Sequence, residues 1–301
     1  SASAEESYEI IRRRLFEPLS AQQFAERDAV LKGFLSTYKQ HPNDFPPDTK
    51  ELSYQQKMES CYPIHPELFE RLYSDWSSLE KFQQTRGVLR LMATVIHSLW
   101  EQGDRNLLIL PSTLPIDDRA VADSLTYYLE DGWKAVIDKD IDGQSASPRT
   151  IDQDNPALGR YSASRRVART IFVGSAPISQ GPNPGIEDRK INLGCIQPGE
   201  TVATFGDALR RIEGKATYLY SDSRRYWYST QASVTRLAHD RAQQQENSLV
   251  NAKIIEYLRP EADNRKRADF AGLHIYANTS DEIADETEAR LVLLGPEYPI
   301  F

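Results

Sequence analysis

The sequence has no long hydrophobic run and very few cysteines. Its longest apolar stretches fall well short of the roughly 20 residues that a helix needs to cross a bilayer. The first residues, 1–5, are polar and acidic, unlike the apolar region of a secretory signal peptide. Cys61 and Cys195 lie far apart and form no ligand cluster, which suits reduced thiols. We therefore expect a cytoplasmic protein with no membrane partner.

The motifs that mark common enzyme classes are also missing. Where a P-loop would end in Gly-Lys-Ser/Thr, Gly214-Lys215 is followed by Ala216, and Leu209 occupies the position of the first glycine. The dinucleotide-binding, zinc-protease and serine-hydrolase signatures do not occur either. The histidines are scattered, and His97 falls on a predicted apolar helix, which favours a core or boundary position over a ligand role. These absences argue against a small-molecule enzyme.

The composition is that of a folded protein, with 27% charged and 40% apolar residues. A chain of 301 residues predicts two or three compact units. The fold class expected is mainly α with small β, because apolar residues recur at helical spacing along most of the chain. Helices are predicted over 5–16, 24–38, 66–73, 85–100, 118–129, 133–138, 233–245 and 248–258, an extended link or strand over 107–110, and strands of a small α/β unit over 273–276 and 290–294.

The stretch 160–230 has an order of elements that points to a function. Three helices are predicted, over 161–173, 186–195 and 202–212, and two aromatic runs with period-two spacing, 217–220 and 226–230, predict a β-hairpin. Three helices followed by a hairpin is the order of a winged helix, a relative of the helix-turn-helix DNA readers. Winged helices also bind proteins, so the pattern leaves both partners open.

The net positive charge of this stretch favours a polyanion as its binding partner. Residues 160–241 contain thirteen basic and seven acidic residues, although the whole chain carries a net charge of −8. The alternative is a solvated helix face with structural ion pairs. The candidate DNA-binding residues are Arg210 and Arg211 on the third helix, Arg224 and Arg225 at the hairpin tip, and Arg165 and Arg166 on the first helix. The aromatic residues 226–228 are expected to pack within the hairpin.

Residues 138–143 match the first half of a calcium-binding loop. Asp138, Asp140 and Asp142 alternate and Gly143 follows, but the twelfth position, which should supply a bidentate glutamate, is Arg149. A cation at that position repels the ion. We interpret the segment as an acidic turn.

Arg86 has an unusual position at the start of the long helix predicted over 85–100. The positive end of the helix dipole favours anions, so a cation there gains nothing from the helix. An anion should therefore lie nearby. Either a protein carboxylate or a nucleotide phosphate would satisfy this expectation.

Several segments resemble a family of large bacterial AAA+-like ATPases catalogued as domain of unknown function 499, whose members are often encoded in phage-defence islands. The resemblance covers essentially the whole chain. It is carried by Tyr62-Pro-Ile-His-Pro-Glu-Leu-Phe69, Phe82-Gln-Gln-Thr-Arg-Gly-Val-Leu-Arg-Leu-Met-Ala93, Val95-Ile-His-Ser-Leu-Trp100, Tyr161-Ser-Ala-Ser-Arg-Arg-Val-Ala-Arg-Thr-Ile-Phe172, Phe205-Gly-Asp-Ala-Leu-Arg-Arg211 and Tyr226-Trp-Tyr-Ser-Thr-Gln231.

The residue patterns and the resemblance together predict four parts. Residues 1–105 would form a helical lid, 106–159 connecting helices and a linker whose Gly-, Ser- and Pro-rich end (141–159) marks a boundary, 160–232 the winged helix, and 233–301 helices with the start of an α/β unit. Arg86 would be the lid ("sensor 2") arginine that reaches the γ-phosphate of ATP, and Arg90 the weaker candidate.

The resemblance also implies what must lie elsewhere. The P-loop and the acidic motif for Mg²⁺ do not occur in these 301 residues, so ATP and Mg²⁺ would be bound by a longer parent protein, which could be an oligomer. We expect a non-catalytic piece that couples nucleotide state to double-stranded DNA or to a defence-system partner protein. The alternative is a protein–protein adaptor whose winged helix binds no nucleic acid.

Overall fold

The computed structural model describes residues 4–263, 269–277, 279–283 and 285–294. The chain divides into two compact units, Ser1–Arg236 and Leu237–Phe301, which are described separately. Helices dominate, and the described strands form two small sheets. The predicted fold class, mainly α with small β, is confirmed.

Amphipathic helices build the first part of the larger unit. They are α1 (Ala4–Leu15), α2 (Ala21–Gln40), α3 (Leu52–Cys61), α4 (Pro66–Glu70), which continues as a π-helical turn over Arg71–Asp75, and α5 (Thr85–Glu101). Ser20 begins α2 with a capping box, because its hydroxyl accepts from the Gln23 N–H while the Gln23 side chain accepts from the Ser20 N–H. The helices predicted over 5–16, 24–38, 66–73 and 85–100 are confirmed, whereas α3 was not predicted.

Two residues of α5 lie outside the expected core. His97 is largely exposed and its Nε2 lies 3.5 Å from a carboxylate oxygen of Glu101. Trp100 is 84% exposed, because the apolar stripe of Val88, Leu91 and Val95 has already turned away from its position. The core or boundary position expected for His97 is therefore wrong.

The middle of the larger unit is made of short helices. They are α6 (Arg119–Thr126), α7 (Trp133–Val136), which continues as a π-helical turn over Ile137–Ile141, α8 (Ser147–Asp154) and α9 (Pro156–Gly159). The segment 107–110 is an extended link that makes one parallel bridge, between Ile109 and Ile64. Ile151 and Leu158 are buried in the same hydrophobic core as the helices before and after them. The core therefore runs through 141–159 without a gap, although the sequence suggested a boundary there.

Helix α10 (Ala163–Ser175) is central to this core. Nearly all of its residues are buried, and it packs against α8, α9 and the elements that follow it. Asp152 caps its first turn, because its carboxylate accepts from the N–H groups of Ser164 and Arg165 at 2.9 and 3.1 Å. The next elements are β1 (Ile186–Glu187), α11 (Asp188–Cys195), α12 (Val202–Lys215), β2 (Leu219–Asp222) and β3 (Arg225–Tyr228).

The strands of this region form a three-stranded antiparallel sheet in the order β1-β3-β2. The predicted hairpin is present, and its two-residue turn, Ser223–Arg224, has positive φ at both positions, as a type I′ turn requires. Strand β1 was missed: Ile186 pairs with Tyr226 instead of starting the helix, which begins at Asp188. Gly185 precedes β1 with a φ of 84°, and a Cβ there would lie 2.5 Å from the Tyr226 carbonyl oxygen.

The smaller unit is a helix with a parallel strand pair. Helix α13 (Val234–Gln243) leads in sequence to α14 (Asn247–Asp263), which packs on β4 (Gly272–Ile275). Strand β4 pairs in parallel with β5 (Arg290–Leu293), in a register that places Leu273 opposite Leu291. Both predicted strands are confirmed.

Candidate functional site

A cleft of about 580 Å³ lies beside the first turn of α5. Its walls come from the 3₁₀ turn Glu80–Phe82, from α5, and from Tyr127 and Tyr128 at the end of α6. The chain enters α5 through Gln83 and Gln84, which have φ values of 57° and 48° and turn the backbone sharply. A Cβ at Gly87 would lie 1.9 Å from the Phe82 carbonyl oxygen, so only glycine allows this close approach.

Three cations and no acid line this cleft: Lys81, Arg86 and Arg90. All three side chains are exposed, and within the part of the chain that the structure describes none forms a salt bridge. Arg90 lies over the Tyr127 ring, with its guanidinium carbon 5.6 Å from the ring centroid. The protein carboxylate that would explain Arg86 is therefore not found among the described residues.

The start of α5 adds to this positive potential. Gln84 stands at the N-cap and its side chain makes no capping hydrogen bond. The first N–H groups of a helix lack partners within the helix, and together with the dipole they favour an anion. The Arg86 N–H donates to the Gln83 carbonyl oxygen at 3.3 Å. The other N–H groups of the first turn, together with the unpaired cations, can bind a phosphate or another small anion.

The floor of the cleft is anchored in the core. The Phe82 ring packs edge-on against Tyr128 at a centroid distance of 4.8 Å and lies 6.1 Å from Trp76. The Trp76 Nε1 donates a hydrogen bond of 2.8 Å to the Val173 carbonyl oxygen on α10. The cleft is thus tied by buried aromatic contacts to the central helix.

The exposed face of α12 and the hairpin turn form a second basic surface, which we call the helix–hairpin surface. Arg210 and Arg211 are exposed on α12, but both bond to Asp207, at 3.4 and 2.8 Å. The hydrogen bond from Arg211 lowers the pKa of Asp207, so the carboxylate stays charged. Lys215 is exposed at the end of the helix.

The two hairpin arginines differ. Arg224 is exposed at the turn, where its Nη2 lies 2.6 Å from Asp188. Arg225 is half-buried and folds back, donating to the carbonyl oxygens of Gly185 and Pro184 at 2.6 and 3.3 Å. Of the pair, only Arg224 is presented at the hairpin tip.

Arg165 and Arg166 lie away from the helix–hairpin surface. The Arg165 Nε donates to the buried carboxylate of Asp142 at 2.7 Å. The Arg166 guanidinium donates to both carboxylate oxygens of Glu200 and to the Cys195 carbonyl, and stacks over Phe205. Both arginines, predicted as DNA contacts, are instead engaged in the packing of α10, because their charges need partners once the helix is buried.

The acidic segment 138–142 is also used internally. Asp140 accepts hydrogen bonds of 2.6 Å from the N–H groups of Thr217 and Tyr218. Asp142 receives Arg165 and Arg169, and Arg149 lies 3.7 Å away. The carboxylates therefore tie α10 and the start of β2 to this turn, which agrees with an acidic turn rather than a calcium loop.

A family model identifies the relatives of the chain. The model described as DUF499 second domain matches residues 2–228. The chain belongs to the DUF499 family. No curated protein and no solved structure matches it.

The matched range of the DUF499 second domain includes both basic sites. It covers the cleft at Arg86 and the helix–hairpin surface, and it ends at Tyr228, the last residue of β3. Among the residues that the structure describes, no helix of this chain is long and apolar enough to cross a membrane. Within the same residues, no group of three or more acidic, cysteine or histidine side chains could hold a metal ion.

The cleft contains residues that sequence reasoning missed. Arg86 was indicated by its position at the start of a predicted helix, and Arg90 by the resemblance to the family. Lys81 lies five residues before Arg86, and this closeness in sequence is the signal that could have identified it as part of the same site. Tyr127 comes from another helix, and nothing in the local sequence places it beside Arg90.

Proposed function

We propose that this DUF499 second domain is the non-catalytic, phosphate-sensing part of an AAA+-type ATPase. In this proposal Arg86 contacts the γ-phosphate of an ATP bound by another domain of the parent protein, and Arg90 and Lys81 add positive potential. The observation that carries it is the cleft itself, in which three cations face no carboxylate of the described chain. Unpaired cations at one place repel each other, and an anion removes that cost.

The catalytic parts of such an ATPase would lie outside these residues. The sequence has no P-loop, whose backbone N–H groups and lysine hold the phosphates of ATP. The ATP and Mg²⁺ of the proposal would therefore be bound by the parent's core domain. The role left to this domain is to detect the phosphate and to transmit its presence.

The contacts beneath the cleft support a transmitting role. Phe82 contacts Trp76, and Trp76 holds α10 through Val173. Helix α10 packs in turn against α12 and β3. A displacement of the 3₁₀ turn by a bound phosphate would reach the helix–hairpin surface through packed side chains.

We propose that the helix–hairpin surface belongs to a winged helix that binds double-stranded DNA. The order helix, short strand, two helices and hairpin, with the sheet order β1-β3-β2, is the observation that favours it. Helix α12 would enter the major groove with Arg210 and Arg211, and Arg224 would contact the backbone. Because Asp207 and Asp188 pair with these arginines, the affinity would be modest and mostly non-specific.

The alternative is that the same surface binds a defence-system protein instead of DNA. The dependence of binding on salt separates the two. DNA binding releases counterions and weakens steeply as salt rises. Capture of one protein at unchanged affinity across a salt series would favour the adaptor.

The phosphate-sensing proposal is tested in the full-length parent protein. Arg86→Ala should lower ATP hydrolysis by about 10³-fold, the lower end of the effect of a positioned arginine on phosphoryl transfer. Arg90→Ala should have a smaller effect, and Arg105→Ala, which removes an exposed arginine outside the cleft, should have none. Since Arg86 makes no salt bridge in the described chain, the melting temperature should not change. Normal hydrolysis by a folded Arg86→Ala variant would refute the assignment.

A further inference from the structure

A second cavity, separate from both basic sites, lies between the C-terminal end of α5, the link that follows it, and the start of α10. Its volume is about 340 Å³, near the lower limit of small-molecule pockets. Polar side chains line it almost throughout. Those that matter here are Gln102, Ser112, Arg160, Arg165, Arg166 and Arg169.

Two polar atoms at this cavity are buried without partners. Ser112 is fully buried and its Oγ makes no hydrogen bond with the described residues, and the same holds for the Nε of Arg166. Buried polar groups are nearly always paired, so an orphaned hydroxyl beside a cavity indicates an absent partner. The cavity has several times the volume of one water molecule, about 30 Å³ in the liquid.

Two guanidinium groups have donors left for a ligand. Arg165 and Arg169 each use Nε and Nη2 on the carboxylates of Asp142 and Asp117. The Nη1 of each, by contrast, makes no hydrogen bond to any residue in the described ranges, and both side chains line the cavity. Burial lowers the pKa of Arg169 and the neighbouring Arg165 lowers it further, although Asp142 opposes both effects. A further anion here would relieve this repulsion.

Arg160 stands at the mouth of the cavity. It is exposed, its guanidinium carbon lies 5.2 Å over the Tyr161 ring, and it has no carboxylate partner among the residues described. Of the two acids on the wall, Glu200 is paired with Arg166 and the Gln197 N–H, whereas Asp104 bonds to the neutral side chain of Asn106 and keeps its charge. Four arginines line the cavity against these two acids, so the charge of the lining is net positive.

We propose that this cavity is a binding site for a small oxyanion, either inorganic phosphate or the phosphate group of a small monoester. The Nη1 groups of Arg165 and Arg169 donate to its oxygens, the Ser112 hydroxyl donates from the buried side, and Arg160 covers the mouth. The site is independent of the cleft at Arg86 and of its proposed role.

Titration calorimetry on the 301-residue chain tests the proposal, with inorganic phosphate and glycerol 3-phosphate as probes and glycerol as the neutral control. We expect a dissociation constant of about 1 mM or tighter for phosphate. Ser112→Ala and Arg160→Ala should each weaken binding about tenfold, as expected for a hydrogen bond to a charged group. Arg105→Ala, which removes an exposed arginine that does not line the cavity, should leave it unchanged.

The two probes identify the source of the oxyanion. Glycerol 3-phosphate binding about tenfold tighter than phosphate would assign the site to a phosphomonoester, and equal affinities would assign it to phosphate itself. No binding of either probe at about 10 mM would overturn the proposal. So would binding that is lost in Arg86→Ala and kept in Arg160→Ala, an exposed substitution that leaves the packing of the core unchanged.

Discussion

The indole Nε1 of Trp76 donates a hydrogen bond of 2.8 Å to the main-chain carbonyl oxygen of Val173. The two residues are 97 positions apart in the sequence, and Trp76 is fully buried. This bond joins the floor of the cleft at Arg86 to the central helix α10. It is a single, specific link that a conservative substitution can remove.

Trp76→Phe should lower the free energy of unfolding by about 1–3 kcal/mol, because it leaves the buried Val173 carbonyl without its donor. Part of the loss comes from the smaller ring. The measurement is urea denaturation followed by circular dichroism. Trp100→Phe is the matched control: Trp100 is 84% exposed, so its replacement should change the stability by less than about 0.5 kcal/mol. Equal effects of the two substitutions would contradict the role assigned to the Trp76–Val173 bond.

The isolated chain should not hydrolyse ATP and should bind it weakly or not at all. Arg86 and its neighbours can contact one phosphate, but the backbone cradle that supplies most phosphate contacts in a P-loop does not occur in this sequence. Release of phosphate from ATP and calorimetric titration measure the two properties. ATP turnover above background that persists through purification to homogeneity would contradict the proposal that the catalytic residues lie in another domain of the parent protein.

Freeing the arginines of α12 should strengthen DNA binding. Asp207 pairs with both Arg210 and Arg211, so Asp207→Asn removes a negative charge and releases two cations towards the phosphates. Asp123→Asn is the control, because it breaks the equivalent pair with Arg119 on α6, away from α12. Fluorescence anisotropy with a random duplex should show tighter binding for the first variant only.

The salt dependence of DNA binding, measured in the same assay, gives the number of contacts with DNA phosphates. Each arginine that contacts a phosphate should, on replacement by alanine, reduce the slope of log affinity against log salt by about 1. We expect this for Arg210, Arg211 and Arg224, and not for Arg225, which is held by backbone carbonyls. No binding by the wild-type protein at low salt would contradict the DNA proposal and would favour the adaptor.

His65 should make the stability depend on pH. Its Nδ1 accepts from the Glu67 N–H at 3.1 Å, so Nε2 carries the proton and donates to the Tyr38 hydroxyl at 2.9 Å. Burial lowers the pKa of His65 to about 3, with smaller contributions from Lys190 and Lys57. Because the folded pKa lies below the unfolded value of about 6.5, the stabilisation is present above pH 6.5 and is lost as the pH falls.

At pH 5 the loss from His65 should be about 2 kcal/mol relative to pH 7. His65→Asn, which keeps a side-chain acceptor at the N-cap of α4 but does not titrate, should show a correspondingly smaller change between the two pH values. Burial raises the pKa values of Asp140 and Asp152, which shifts stability in the opposite direction on acidification. That effect is common to both proteins, so comparing their differences isolates His65. An identical pH dependence would contradict the neutral assignment.

The sequence by itself determined most of the helices, the hairpin and the strand pair of the smaller unit. These elements follow from local patterns, since the apolar spacing of α5 and the aromatic runs of the hairpin act within a few residues. The sequence also indicated Arg86 through an argument about one helix end. Strand β1 was not predicted, because two residues carry no periodic pattern and the paired residue Tyr226 lies forty positions later in the sequence.

Only the tertiary structure decided which arginines are free to bind a ligand. Arg86, Arg165 and Arg210 look alike in the sequence, yet the first faces a cleft without carboxylates, the second is bound to Asp142, and the third pairs with Asp207 on its own helix. Whether a cation is free depends on the carboxylates that packing brings to it, and for α10 these come from turns more than twenty residues away. A buried charge must be paired, because the free energy lost by leaving it unpaired in the core exceeds the free energy gained by packing.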